Sequence, residues 1–201
     1  QNMTSRFKKL TVATVVAVTT ISLQGLPQAT AATDTFAFAT FAGGTRISAV
    51  GTTVTSDLTA ESAVAGKSPN ATSNKVASVR VGGLAQVGAV NTDAAAVKSG
   101  NGFATTAHAR TANISLLNGA IKVSAVDTTT KAEAKSGSVA TGSNRTEFVG
   151  LTIAGKKYPV NVPVNTGVTI PGVARVTLNA SSVAVDGESV VAQGAGLYVT
   201  L

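Results

Sequence analysis

His108 is the only histidine in the 201-residue chain, so only this side chain could act as the base of a Ser–His–acid triad. It lies in the segment Thr106-Ala107-His108-Ala109-Arg110, whose alternation predicts a β-strand with His108 and Arg110 on one face. No serine is surrounded by the Gly-x-Ser-x-Gly elbow that presents a nucleophile. We therefore predict a surface histidine on a strand, no catalytic residues and no enzymatic activity.

Metal and cofactor chemistry is not indicated by the remaining residues. A single histidine and the absence of cysteine exclude the usual zinc ligand sets. The closest acidic pair, Asp186 and Glu188, flanks Gly187, whereas Ca²⁺ takes six or more oxygen ligands. No pair of carboxylates stands out in the sequence as the two catalytic acids of a glycoside hydrolase. We predict neither a metal ion nor a cofactor.

The segment Lys156-Lys157-Tyr158 is the one candidate for a surface contact with a ligand. It places an aromatic ring beside two cations, a combination that suits sugars or anionic groups. The alternative is that these residues simply form the exposed tip of a hairpin. The sequence leaves both interpretations open.

The first 31 residues are organised like an export signal. Arg6, Lys8 and Lys9 form a positive segment, residues 10–26 are uncharged and mostly apolar, and Ala29-Thr30-Ala31 supplies small residues for cleavage. The alternative is a retained membrane anchor, but threonines and serines dilute the short apolar run. We predict a signal peptide over residues 1–31 and a single domain over residues 32–201.

Charge and cysteine usage limit the expected partners. Residues 32–201 hold 13 basic and nine acidic residues, a formal charge of +4, and the basic residues are scattered. Nucleic acid is not expected, because no basic patch with motif support is present. A mild positive charge suits the cell wall or another anionic extracellular surface. The absence of cysteine, together with the leader, predicts a secreted bacterial protein with no membrane span after cleavage.

A repeated pattern organises the first two thirds of the domain. Residues 42–53, 82–93 and 118–129 share a glycine-containing pair, three residues, Ile or Val, Ser or Gly, and Ala-Val. The pairs Gly43-Gly44, Gly82-Gly83 and Asn118-Gly119 predict two-residue hairpin turns between strands. A change of phase over residues 110–112 predicts a bulge in one arm.

Further turns and loops are predicted on either side of these repeats. Ala154-Gly155 and Asp186-Gly187 have the composition of hairpin turns. Residues 67–74 and 138–145 are polar and contain glycine or proline, which predicts loops.

The composition favours an all-β domain with a thin core. Val, Thr, Ile and Ala dominate with little helical periodicity, aromatic residues make up 4% of the chain, and tryptophan is absent. We expect Ala and Val to fill the space between two closely packed sheets, with Phe36 and Phe38 in the core. The prediction is an antiparallel β-sandwich built from repeated hairpins, with a β-solenoid or β-roll as the alternative.

The C-terminal third resembles a known family. Residues 148–156, Asn165-Thr166, residues 170–179 and residues 196–201, together with the hairpin over residues 116–126, are similar to the secreted actinobacterial proteins called choice-of-anchor P. The resemblance implies a surface-exposed β-domain without established catalytic residues. Since no anchor follows the similar region, we expect free secretion or non-covalent association with the wall.

These observations together predict a class of function. We expect a secreted cell-envelope or extracellular protein that is non-enzymatic and structural or adhesive. The alternatives are a secreted carbohydrate- or ligand-binding module and, less favoured, a secreted hydrolase. The hydrolase would need a pocket that contains His108 or an acidic pair.

Overall fold

The computed structural model describes residues 10–24, 35–49, 54–56, 59–81 and 85–200, and these residues form strands but no helix. All pairings between the strands are antiparallel. The strands are β1 (Leu10–Gln24), β2 (Thr35–Ala49), β3 (Val54–Ser56), β4 (Ser62–Gly66), β5 (Asn70–Val76), β6 (Val79–Val81), β7 (Ala85–Val87), β8 (Val90–Ser99), β9 (Gly102–Leu116), β10 (Ile121–Ala134), β11 (Thr141–Val149), β12 (Thr152–Ile153), β13 (Lys156–Lys157), β14 (Thr166–Ile170), β15 (Ala174–Asp186) and β16 (Ser189–Thr200).

The described strands build two sheets. A seven-stranded sheet has the order β14-β15-β16-β1-β2-β3, with β4 also paired to β2. A nine-stranded sheet has the order β13-β12-β10-β9-β7-β6, with β11 beside β10 and with β8 between β9 and β5. Buried side chains of both sheets pack against each other in two hydrophobic clusters. The predicted antiparallel sandwich is therefore confirmed, and the solenoid alternative is not adopted.

The apolar run of the predicted leader forms β1, which lies between β2 and β16. Uncharged residues of high β-propensity suit this central position, where both edges of the strand are paired. The predicted cleavage position at Ala31 lies outside the described residues, and the signal peptide stays a prediction.

Three of the predicted hairpin turns lie between paired strands, although the predicted length of two residues is wrong for one of them. Asn118-Gly119 lies in the loop between β9 and β10, although Leu116 pairs with Ile121 and the loop therefore has four residues. The turn at Ala154-Gly155 joins β12 to β13, with Ile153 paired to Lys156. A third turn follows Asp186, which pairs with Ser189 across the Gly187-Glu188 loop.

The predicted turn at Gly43-Gly44 is wrong, because β2 runs through both glycines. The Gly44 amide donates a hydrogen bond to the carbonyl of Thr59 (2.8 Å), and a Cβ on Gly44 would collide with Val90. Here glycine permits close approach to the opposite sheet. Gly82-Gly83 lies outside the described residues, while the flanking β6 and β7 pair as a hairpin.

The two predicted loops are wrong in part. Residues 70–76 form β5 and residues 141–149 form β11. Each of these strands pairs along one side only, β5 with β8 and β11 with β10. Polar residues are tolerated in such outer strands because much of the surface faces water.

The long strands exchange their inward and outward faces midway. In β9 the buried residues include Ala109 and Thr111, and then Ile114 and Leu116, so burial advances by three residues at Asn113. Asn113 has a φ of +52°, in the left-handed region. The predicted phase change is confirmed, displaced by a residue or two along the strand, but the predicted bulge is wrong, because the register between β9 and β10 is the same on both sides of Asn113.

This exchange of faces runs across the nine-stranded sheet and continues through β15 and β16 of the seven-stranded sheet. The pairing register is continuous on either side, so the residues at the exchange lie opposite one another. We call them the break rows: Ser78, Gly88, Asn113, Ser124 and Gly150 in the nine-stranded sheet, and Asn165, Asn179 and Gly196 in the seven-stranded sheet. The Ser/Gly-Ala-Val part of the sequence repeat marks this exchange in β7–β8 and in β10. The apolar residue before it and the valine at its end are three positions apart, and both are buried.

The break rows divide the interior into two parts. One part, the aliphatic half, is filled by large branched side chains: Ile114, Leu116, Ile121, Val123, Leu151, Ile153, Val176, Leu178, Leu197 and Val199. The other part, the small-residue half, is filled mainly by alanines and threonines, with aromatic rings at its far end: Ala94, Ala96, Thr105, Ala107, Ala109, Thr111, Thr128, Thr130, Ala132, Ala134, Ala192, Phe36, Phe38 and Phe103. The expected burial of Phe36 and Phe38 is confirmed.

Candidate functional site

The outer face of the nine-stranded sheet carries charged and hydroxyl side chains in the small-residue half. On each of β8 to β11 they alternate with residues that point into the core. Cross-strand register brings them into one surface, which we call the charged face: Asp93, His108, Arg110, Asp127, Thr129, Lys131, Glu133, Arg145 and Glu147. Short neighbours such as Thr106, Thr141 and Ser143 complete it.

His108 lies at the centre of the charged face between two carboxylates. Its Nδ1 is 3.2 Å from Asp93 Oδ2 on β8, and its Nε2 is 2.9 Å from Asp127 Oδ1 on β10. A neutral imidazole can donate only one hydrogen bond, whereas an imidazolium donates one to each carboxylate. Both ring nitrogens are thus engaged by acids, and the side chain is 30% exposed on the sheet surface. This arrangement links the three strands β8, β9 and β10.

Ion pairs hold the border of the charged face. Arg145 Nη2 contacts Glu147 Oε1 two residues along β11. Lys135 Nζ lies 3.5 Å from Glu133 Oε1, and Ser99 Oγ donates a hydrogen bond to the same oxygen. The hydrogen bond from Ser99, followed by the charge of Lys135, lowers the pKa of Glu133 below its ordinary value.

Two adjoining depressions lie in the charged face along β10 and β11. One has a volume of about 390 Å³ and is lined by residues of β9, β10 and β11; the other has about 220 Å³. Lys131 and Ser143 line both depressions, so they form one groove. The groove exists because short side chains flank the long Lys131, and its outward-facing hydroxyl groups belong to Thr106, Thr129, Thr141 and Ser143.

Lys131 is the cation of this groove that remains free for an external anion. Arg145, on the same wall, is already paired with Glu147. Among the residues that the structure describes, no carboxylate lies within ion-pair distance of Lys131. A cation beside several hydroxyl groups can bind a polyhydroxylated ligand that carries an acidic group.

A third depression, of about 260 Å³, follows the break row of the nine-stranded sheet. Its lining includes Asn113, Ser124 and Gly150, with Lys122 at the margin. It is more open than the groove on β10 and β11 and has one cation. None of the three depressions has His108 in its lining.

The predicted contact cluster lies elsewhere, in the aliphatic half. Lys156 and Lys157 are exposed on β13, and Lys156 Nζ is 5.5 Å from the centre of the Tyr158 ring. Tyr158 is partly buried and packs against the aliphatic core, while its amide donates to the carbonyl of Leu151 (3.0 Å). The ring is therefore largely used for packing, and the two lysines remain accessible.

The acidic pair beside Gly187 has a structural contact. Glu188 Oε1 accepts a hydrogen bond from the amide of Gly137 (2.6 Å), which ties the β10–β11 connection to the β15–β16 hairpin. Across the described ranges of the chain, no group of three or more His, Cys, Asp or Glu residues is placed to hold a metal ion.

Asp93, Asp127 and Lys131 belong to the charged face but were not predicted from the sequence. The signal for Asp127 and Lys131 is the period-two pattern Asp127-x-Thr129-x-Lys131-x-Glu133, which marks the outward face of a strand. Which residues of other strands lie beside them depends on long-range register, and that was not evident from spacing alone.

The described residues include no helix with the length and apolarity to cross a membrane. Comparison of the chain with protein-family models, with curated proteins and with solved structures finds no match.

Proposed function

We propose that this is an exported protein of the cell envelope or extracellular space that acts by contact, as a structural or adhesive component, and not by catalysis. The leader, the absence of cysteine and the resemblance to choice-of-anchor P proteins support the location. The main support for a function by contact is the groove around Lys131, because it offers a free cation and several hydroxyl groups on an accessible sheet face.

The electrostatics of the charged face suit a weak contact repeated many times. Most of its charges are neutralised locally, by pairs such as Arg145 with Glu147, and exposed pairs contribute little energy. The unpaired Lys131 and the formal charge of +4 on residues 32–201 favour an anionic polymer or surface. Binding of this kind weakens as salt is added.

Co-sedimentation with purified bacterial cell wall tests the proposal. We expect the exported protein to pellet with the wall, and Lys131→Ala to weaken binding by about fivefold or more, as loss of a central contact does. The matched control is Lys157→Ala, which removes the same charge from an exposed site outside the groove and should change binding by less than twofold. A protein that stays wholly in the supernatant at low salt would overturn the proposal.

A carbohydrate-binding module is the second candidate, and the hydroxyl lining of the groove favours it. Sugars are recognised through networks of such polar groups. On a glycan array, binding that is lost in Lys131→Ala and kept in Tyr158→Ala would assign the groove as the site. The reverse result would assign the cluster of Lys156, Lys157 and Tyr158. An array without any signal would count against this candidate.

The hydrolase alternative gains no support from the geometry. It required a pocket with His108 or an acidic pair, and the described His108 is held between Asp93 and Asp127 on an open sheet face. We retain a non-enzymatic function as the proposal.

A further inference from the structure

Strand β15 has an edge that is only partly covered. Along one side it pairs with β16 over its whole length, from Arg175 opposite Thr200 to Asp186 opposite Ser189. Along the other side β14 pairs only with the stretch from Ala174 to Leu178. The second half of β15 therefore forms an outer edge of the seven-stranded sheet in the part of the chain that the structure describes.

Asn165 covers the next two residues of this edge and then stops. Its amide donates to the carbonyl of Asn179 (2.9 Å), its Nδ2 donates to the carbonyl of Ser181 (3.2 Å), and its Oδ1 accepts from the Ser181 amide (2.9 Å). These bonds show that residues 179 and 181 direct their backbone groups away from β16.

The backbone groups of Val183 and Val185 point the same way. Asp186 and Ser189 close a two-residue loop and therefore form a hydrogen-bonded pair, so even-numbered residues of β15 bond to β16. The odd-numbered Val183 and Val185 then present their N–H and C=O groups at the edge. No hydrogen bond within the described residues joins those groups to another segment.

The side chains around this edge are apolar and accessible. Val183 is 42% exposed and Val185 is 43% exposed. Val139, which is 75% exposed, lies near the turn that follows β15, because the amide of the next residue, Ala140, donates to the carbonyl of Gly187 (2.9 Å).

Two other outer strands, β13 and β14, are protected against pairing, and this edge is not. Lysines and prolines at an edge oppose the addition of a further strand. β13 consists of Lys156-Lys157 and is followed by Pro159, and β14 lies between Pro163 and Pro171. Residues 179–185 contain no charge and no proline.

We propose that a second copy of this chain pairs with β15 at this edge, antiparallel and about a two-fold axis at Ala184. Val183 of one copy then faces Val185 of the other, and the two sheets become continuous. Such an interface is self-complementary, as two-fold symmetry requires. Asp186 of one copy faces Ser182 of the other, so no like charges meet. The pairing goes beyond the proposed function and does not involve the charged face.

Cross-linking through an introduced cysteine tests the pairing geometry directly, because the chain has no cysteine of its own. On the axis, the two Ala184 residues form a non-hydrogen-bonded pair with Cα atoms about 4.5 Å apart, within the range of a disulfide. We expect full-chain Ala184→Cys to form a disulfide-linked dimer under mild oxidation. Ser182→Cys, on the same strand but off the axis, is the matched control and should cross-link far less.

Sedimentation of the full chain without cysteine provides the second measurement. We expect the average mass to rise toward that of a dimer with concentration, and Val183→Lys to abolish the rise. Val173→Lys changes a similarly exposed valine away from the edge and should leave it intact. A wild-type chain that stays monomeric, or equal cross-linking at residues 182 and 184, would overturn the proposal. Capture of an extended peptide by a monomeric chain would assign the edge to a different protein and would equally overturn self-pairing.

Discussion

The aliphatic half and the small-residue half are built from the same long strands but use them in different ways. In β9, Ile114 and Leu116 fill the aliphatic half, while Ala107 and Ala109 line the other half. The side chains between the sheets are therefore larger in this part of the aliphatic half than in the facing part of the small-residue half. One sheet pair can thus combine a thick core at one end with close sheet contact at the other.

Glycines make the close contact possible in the small-residue half. A Cβ on Gly194 would lie 2.8 Å from Thr130 Oγ1, and one on Gly142 would lie 2.8 Å from Val183 Cγ1. The outer surface of the same half carries the charged face. The largest buried aliphatic side chains and the charged face therefore lie on opposite sides of the break rows.

Truncation of a large side chain in the aliphatic half should have the largest effect. Leu116→Ala removes a fully buried side chain and leaves a cavity, so we expect a loss of about 2–5 kcal/mol in the free energy of unfolding. Ala107→Gly, the corresponding truncation in the small-residue half, should cost only about 1 kcal/mol. Urea denaturation measures both. Equal losses would contradict the division of the core.

Enlargement of a side chain should reverse the order of the two halves, with the larger loss of stability in the small-residue half. Gly142→Val inserts atoms against Val183, Val190 and Ala192, and we expect a loss of about 1–3 kcal/mol from overpacking. Gly167→Val is the control, because a Cβ there meets no atom within 4 Å. It should change the free energy of unfolding by less than about 0.5 kcal/mol. A tolerated Gly142→Val would show that the sheets are not in close contact.

The break row itself should respond to backbone strain. Asn113 has a φ of +52° and an exposed side chain, so Asn113→Val should cost about 1–2 kcal/mol without a change in burial. Asn113→Gly should be nearly neutral, since glycine adopts this conformation readily. Thermal unfolding of the two variants separates strain from packing. Similar unfolding temperatures for Asn113→Val and Asn113→Gly would argue against a left-handed backbone conformation at Asn113.

A pH-dependent contribution from the charged face should be the smallest effect. Because the pKa of Glu133 is lowered in the folded state, its contribution to stability is present above the ordinary glutamate pKa and is lost as pH falls through the lowered value. Glu133→Gln should therefore reduce the loss of stability on acidification. Ser99→Ala should do the same, since Ser99 provides the main cause of the shift. Urea midpoints over an acidic pH series would measure this, and parallel curves for all three proteins would contradict it.

The sequence contained the fold class and several turns, but not the close contacts. Ala154-Gly155 and Asp186-Gly187 were predictable because local chemistry determines a tight turn. The position of Gly43-Gly44 within a strand was not predictable. Gly44 allows atoms of a distant segment to approach closely, and the local sequence does not distinguish such a glycine from one in a turn. The groove at Lys131 depends on the register of three strands, which sequence spacing alone does not specify.

Accessibility of single cysteines along β9 tests the exchange of faces most directly. In a chain without native cysteine, each substitution reports one position. We predict that Thr111→Cys and Ile114→Cys resist a thiol reagent in the folded protein, while Arg110→Cys and Ser115→Cys react. Labelling after unfolding is the control for intrinsic reactivity. A strand with uninterrupted alternation would instead protect Ser115→Cys and expose Ile114→Cys, and that result would contradict the division into two halves.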